Sequence, residues 1–225
     1  MNLNGALTPG GDIKIFYLRL ILVPASLLPA PCPPAICPLL IIFEPMSTYT
    51  TTVFPRPSEG DCAEYYFRYI NLVPEVDILT LLHTQRDWFG DWIESLTDEQ
   101  LQHKYEAGKW SLAEMIGHIM DTERIMSYRM LAISRNEKKS LPGFEQDDYI
   151  KESNFNAISA EDLASEWKAI RLSTLHLARN MNGEMASRLG TANDVSVRAL
   201  SFPYIMAGHV IHHYRVAQEK YLATS

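Results

Sequence analysis

His209 and His213 stand four residues apart in the segment Gly208-His209-Val210-Ile211-His212-His213, and His118 follows Gly117 in another stretch of helical character. Residues i and i+4 of a helix lie one above the other on a single face, so His209 and His213 can chelate one ion. If a second helix brings His118 alongside, three imidazoles close on one divalent metal. The absence of a fourth side-chain ligand then leaves a position for water or substrate, which is the mark of a catalytic rather than a structural site. His212 lies about 60 degrees round the helix from His209 and is the alternative to His213 as its partner. Ile205, Met206 and Val216 share the face of His209 and His213, so these two rings are expected to point inward. Two imidazoles buried without partners are unfavourable, and a metal satisfies both at once.

The neighbouring residues exclude several chemistries. A carboxylate-bridged di-iron bundle needs Glu-x-x-His, but Met115, Met206 and Val210 stand three before His118, His209 and His213. A zinc peptidase of the His-Glu-x-x-His type needs glutamate where Val210 stands. No glycine-rich phosphate loop, nucleophile elbow or Cys-His pair is visible. The general base is therefore metal-bound hydroxide, a carboxylate such as Asp121 or Glu123, or an ionised group of the substrate. Asp121, three residues after His118, could orient that ring as a hydrogen-bond acceptor; its plainer role, and that of Glu123, is solvation or pairing with Arg124 and Arg129. Arg129 could contact a substrate anion if it faces the interior, or form an ordinary salt bridge. Trp110 either walls a pocket or packs in the core. His83, His103 and His176 read as surface or satisfied core residues.

Four amphipathic segments could position these groups. The first runs from about Pro74 to Leu96, with Ile78, Leu81, Leu82, Trp88, Phe89, Trp92 and Ile93 recurring at helical spacing. The second opens at Ser111 with Glu114 three residues on, a capping-box pattern, and runs to about Ile133. The third opens at Ser159, carries Glu161 and Asp162 in its first turn, and shows the stripe Leu163, Trp167, Ile170, Leu177, Met181. The fourth spans about Phe202 to Leu222. Almost no alternating β-branched run appears, so the expected fold is all-α, a four-helix bundle. A stretch of about 25 residues between the second and third helices, including Leu141-Pro142-Gly143-Phe144-Glu145-Gln146-Asp147-Asp148-Tyr149, is too long for a hairpin and is expected to be a crossover or a flap over the site.

The chain has 225 residues, the size of one well-buried domain. Its net charge of −7, from 20 basic and 27 acidic side chains, argues against nucleic acid as a partner. Cys32, Cys37 and Cys62 all precede the first long helix and form no CxxC pair, which fits a reducing, cytoplasmic setting. Residues 1–45 read apart from residues 46–225. The uncharged run from Leu20 to Phe43 is broken by Pro24, Pro29, Pro31, Pro33, Pro34 and Pro38, a density that no lipid-spanning helix tolerates, so no membrane partner is expected. A secretory signal lacks a clean cleavage site. The segment is expected to be a non-helical or disordered leader, or an over-extended reading frame with synthesis beginning at Met46.

Three fragments together resemble the DinB/YfiT-like superfamily over roughly residues 70–222. They are Lys109-Trp110-Ser111-Leu112-x-Glu114-x-x-Gly117-His118-x-x-Asp121-Thr122-Glu123-Arg124, then Leu141-Pro142-Gly143-Phe144-Glu145-Gln146-Asp147, then Ala207-Gly208-His209-x-x-His212-His213. The resemblance implies a four-helix bundle and a homodimer. It implies a divalent metal, zinc or nickel, held by one histidine of the second helix and two of the last, which here are His118, His209 and His213. It also implies a small-molecule thiol as cosubstrate, activated at the metal and transferred to an electrophile in detoxification or stress response. Hydrolysis of a small substrate, or a non-catalytic bundle braced by metal, are the alternatives. The leader has no counterpart in the family pattern.

Overall fold

The computed structural model describes residues 54–223. The leader over residues 1–45, its reading as a secretory signal and the start at Met46 lie outside the described residues. In chain order these form α1 (Phe67–Ile70), α2 (Ile78–Glu94), α3 (Asp98–Gln102), α4 (Leu112–Ser134), α5 (Gln146–Lys151), α6 (Ala160–Arg179), α7 (Gly183–Ser187), strands β1 (Leu189–Ala192) and β2 (Val195–Arg198), and α8 (Ser201–Val216). The long helices α2, α4, α6 and α8 make the bundle. Among the described residues no helix is long and apolar enough to cross a membrane.

The helix starts follow from side-chain capping. The Ser111 hydroxyl accepts from the Glu114 N–H at 3.1 Å, and the Glu114 carboxylate accepts from the Ser111 N–H at 2.7 Å, closing the box before α4. Ser159 accepts from the Asp162 N–H ahead of α6. The first long helix starts at Ile78, later than the expected Pro74. Pro74 to Val76 close a tight turn, and the Asp77 carboxylate then captures both the N–H and the hydroxyl of Thr80. Beyond Val216, α8 continues as a wider π-helical turn over Ala217–Tyr221.

α2 packs chiefly on α6, α6 also on α4, α4 on α8, and α8 on α2, so the first and second long helices sit across a diagonal. α4 and α6 run parallel, with Glu123 facing Arg171 and Ser127 facing Thr174, so the long stretch between them is a crossover that returns to the start of α4, where Asn156 meets Ser111. It holds α5 and a 3-10 turn at Phe155–Ala157, and Leu141 is tied to the hairpin by bonds to the Thr191 carbonyl and from the Asn193 N–H, both 2.9 Å. The β1–β2 hairpin departs from the expectation of helices alone. Its strands are four residues long and antiparallel, joined by Asn193 and Asp194 at φ 51° and 59°, residue types that tolerate the left-handed region.

The core is cut in two. One apolar cluster gathers Leu82, Met126, Leu175 and Met206; the other gathers Phe89, Met120, Trp167 and Val210. On each long helix a buried polar residue stands between the two clusters: Gln85 on α2, Glu123 on α4, Arg171 on α6 and His209 on α8. The stripe expected on α6 holds at Leu163, Trp167 and Met181 and fails between them. Leu163 and Trp167 are buried as expected, but Arg171, Thr174, Leu175 and Ala178 continue the buried face, while Ile170 and Leu177 are only half-buried.

Candidate metal centre

His209 and His213 project from α8 and His118 from α4 towards a common point. Nε2 of His209 stands 3.2 Å from Nε2 of His118 and 3.0 Å from Nε2 of His213. One ligand nitrogen from each ring lies within 4.8 Å of the others. The glycine before His118 and the one before His209 each leave room for a neighbouring segment. A Cβ on Gly208 would lie 2.1 Å from the Tyr69 backbone oxygen, and one on Gly117 would lie 2.1 Å from the Phe155 ring. Gly208 thus lets α1 lie against α8, and Tyr69 packs edge-on to His209 with ring centroids 5.3 Å apart. Trp110 closes the other side, its ring 4.9 Å from that of His118.

Burial pushes the His118 imidazole down to about 4. Burial, and then the neighbouring cationic forms, hold His209 and His213 well below the ordinary histidine range. All three rings are therefore neutral near pH 7, the form that offers a lone pair. A neutral ring has one N–H, and the central Nε2 of His209 faces two other Nε2 atoms. Hydrogen bonding among the rings cannot serve every approach well, whereas a cation between them serves all three. Tetrahedral ligands at the usual zinc–nitrogen length stand about 3.3 Å apart, close to the spacings found. The donor set fits a divalent ion.

His212, the alternative ligand, falls outside this group. It is half-buried and packs edge-on to Tyr69 and His213. His83, His103 and His176 are exposed.

The expected orienting role of Asp121 is not found. Its carboxylate faces Arg124 at 3.4 Å, and Arg124 in turn binds Glu166 of α6. The step of three residues turns Asp121 to the flank facing α6, while His118 turns to α8. Burial raises the Asp121 carboxyl, with Arg124 opposing and Glu166 reinforcing the shift. Among the described residues no carboxylate bonds any of the three rings, and Nδ1 of His213 is buried without a partner.

Glu123 is neither solvated nor paired with Arg124 or Arg129, and it is not placed as a base. It is 2% exposed and binds Arg171, 0% exposed, through Nη2···Oε2 at 2.9 Å and an off-axis Nε···Oε1 contact at 2.8 Å. Burial drives the Glu123 carboxyl up and Arg171 down, but a guanidinium keeps its proton far above neutrality. Arg171 Nη1 also donates to Gln85 Oε1 at 2.8 Å, and Gln85 Nε2 donates to the Ala207 carbonyl at 2.9 Å. This chain joins all four long helices and ends two residues before His209. The sequence carried a signal for it: Arg171 lies four residues after Trp167 and eight after Leu163, so the apolar stripe of α6 passes through a cation.

Beside the triad lies a cleft of about 220 Å³, lined by His118, His209, Thr122 and Arg129 and roofed in part by Phe144 and Glu145. The stretch 136–150 thus reaches the entrance as expected, and Arg129 faces the cleft rather than an acidic partner.

A bundle of four long helices with three imidazoles converging beside a cleft defines a histidine-lined class of helical bundle. The profile of the DinB superfamily matches residues 81–217, and the chain belongs to that superfamily. YfiT from Bacillus subtilis, described provisionally as a metal-dependent hydrolase with an unusual four-helix bundle topology, superposes with a TM-score of 0.56 over 73% of this chain and 90% of its own, at 15% identity. A protein of Oceanobacillus iheyensis provisionally named a metal-dependent hydrolase is 27% identical over 78 residues, which span 35% of this chain and 45% of that protein.

Proposed function

We propose that this chain is a metal-dependent enzyme acting on a small molecule, with one divalent ion, zinc or nickel, held by His118, His209 and His213. The observation that carries the reading is the convergence of three neutral Nε2 atoms at the edge of a cleft. A divalent ion bound there supplies Lewis acidity and lowers the pKa of a water or thiol at its open position. The residues of the chain hold, orient and shield. Trp110 and Tyr69 fix the planes of His118 and His209 from opposite sides. Among the described residues neither a cysteine nor a lysine lines the cleft, and the nucleophile in this reading is a water or thiol supplied from solution.

A low-molecular-weight thiol transferred to an electrophile is the favoured nucleophile, on the superfamily resemblance. The provisional names of the two relatives favour water instead, and hydrolysis of a small substrate is the second reading. The experiment is metal analysis of the purified full chain, followed by assay of the zinc- and nickel-loaded forms with a panel of thiols and a chromogenic electrophile, and in parallel with chromogenic esters and amides. Thiol-dependent, metal-dependent turnover supports transfer, and turnover without thiol supports hydrolysis. A protein that binds metal yet turns over neither panel overturns the catalytic reading and leaves a metal-braced bundle.

A further inference from the structure

Among the described residues two arginines are buried in the core, and only one of them has a counter-charge. Arg171 has Glu123. Arg129 is 3% exposed, yet among the described residues it meets no carboxylate. Its Nη2 donates to the Pro142 carbonyl at 2.7 Å, and Nη1 reaches only the Met126 sulfur at 3.9 Å. A guanidinium withdrawn from water without an anion is strongly unfavourable, and its remaining donors face the cleft shared with His118 and His209. Thr122 lines the same cleft, is 5% exposed, and has a hydroxyl without any hydrogen-bond partner among the described residues. At the rim, Arg68 also meets no carboxylate among the described residues and donates there only to the Tyr69 hydroxyl, at 2.7 Å. In a chain of net charge −7 this is a local accumulation of cationic and donor groups. Glu145, the acidic side chain among the lining residues, is exposed and pairs with neither arginine.

We propose that the cleft binds a small substrate through an oxyanion head group, a carboxylate or phosphate, seated on Arg129 and Thr122. The substrate body lies against the aromatic walls and its reacting end meets the histidine triad. The proposal deepens the enzyme reading and rests on the triad being the reaction centre. A guanidinium fork matches either oxyanion with two parallel bonds, and a threonine hydroxyl adds a third donor. Positions 118, 122 and 129 share one face of α4, because steps of four and eleven residues bring the helix nearly back to the same angle. Eleven residues are about 16 Å of helix, and the Arg129 side chain leans back toward the N-terminus. The anionic head and the reacting atom are therefore several bonds apart. Tyr66, Tyr69 and Phe144 supply the apolar wall for the part between, the Phe144 ring lying 6.0 Å from the Arg129 guanidinium carbon.

The test is calorimetric titration of the zinc-loaded full chain with 4-phenylbutyrate, phenyl phosphate and the uncharged 4-phenylbutyramide. At least one acid is expected to bind about tenfold or more tighter than the amide, and the tighter acid identifies the head group. Arg129→Gln should bring the acid down to the level of the amide, and Thr122→Val and Arg68→Gln should weaken it by smaller factors, with metal content unchanged in all three. Since Arg129 also holds Pro142, the Thr122 and Arg68 variants carry the test if Arg129→Gln fails to fold. Equal binding of acids and amide, or acid affinity untouched in Thr122→Val and in every folded arginine variant, overturns the proposal. Repeating the titration on chelator-treated protein separates it from the metal reading. Acid binding that persists without metal and is lost in the variants upholds the anion seat whatever the triad does. Acid binding that needs metal and survives the variants places the anion on the ion and overturns the seat alone.

Discussion

Replacing Glu123 with alanine leaves the Arg171 guanidinium fully buried, with Gln85 as its remaining oxygen partner at 2.8 Å. Breaking a buried pair by removing one member costs about 3–5 kcal/mol, because the other charge is stranded. For a domain of this size each kcal/mol moves the melting temperature by about 2–4 °C, so Glu123→Ala is expected to melt roughly 6–20 °C below the parent. The double variant Glu123→Leu/Arg171→Met removes both charges and should recover most of that loss, since an apolar replacement of similar volume is commonly neutral or stabilising. Urea unfolding followed by circular dichroism gives both values, and an unchanged slope confirms that stability rather than compactness has changed. A Glu123→Ala loss below about 1 kcal/mol, or a double variant no more stable than the single, refutes the reasoning that the charge on Arg171 drives the cost. The chain also ends at the Ala207 carbonyl, so zinc affinity measured by competition with a chelating dye should fall in the double variant even where stability returns.

Other consequences are open to direct measurement. In the metal-free protein His118 titrates near 4 instead of its ordinary 6.5. The unfolded chain then takes the proton first, so this stability is fully present above about pH 6.5, is lost as pH falls towards 4, and amounts to about 3 kcal/mol. Urea melts of chelator-treated protein at pH 7 and pH 4.5 should show a larger drop in the parent than in His118→Gln, and equal drops would remove the argument. His213→Ala should abolish bound zinc in elemental analysis while His212→Ala retains it, and the reverse result would exchange the ligands. Gly208→Ala drives a methyl into the backbone of Tyr69, which cannot turn aside, whereas Gly117→Ala meets a phenyl ring that can. Thermal melts should therefore rank Gly208→Ala as the more damaging, by about 1–3 kcal/mol over Gly117→Ala.

The helices that carry the site were legible because their signals are local. Ser111 with Glu114 and Ser159 with Asp162 cap where the pattern places them, and the spacing of His209 and His213 needs only the helix pitch to bring the rings together. The start of α2 was misplaced because Pro74 is an allowed first residue, while Asp77, three residues on, has the side chain that captures the free N–H. What sequence reasoning missed is non-local. Arg171 was passed over because a cation on an amphipathic helix is ordinarily solvated, and its partner Glu123 lies 48 residues earlier on another helix. Asp121 was favoured over Glu123 for its nearness to His118, yet nearness along a helix does not decide which neighbour a side chain meets. The hairpin escaped because its strands are four residues each: Leu189 to Ala192 includes a glycine and no β-branched alternation, and the alternation of Val195 to Arg198 ends after two valines.

The burial of Glu123 and the divided core have one explanation. A bundle with an unbroken apolar seam would bury more hydrocarbon than this one, and nothing in helix packing requires Gln85, Glu123 and Arg171 to interrupt it. The interruption falls on all four long helices between the same two apolar clusters, and on α8 it falls at His209. Imidazoles that converge on an ion must be held to within a fraction of an ångström, which apolar side chains, free to repack at small cost, do poorly. An ion pair continued through an amide to a backbone carbonyl has a directional bond at every joint, so it fixes the relative height of the helices where the triad needs it. Arg129 falls outside this account because its charge is turned to the cleft instead of to another helix. One buried arginine is thereby assigned to the frame, and the other is left for whatever enters.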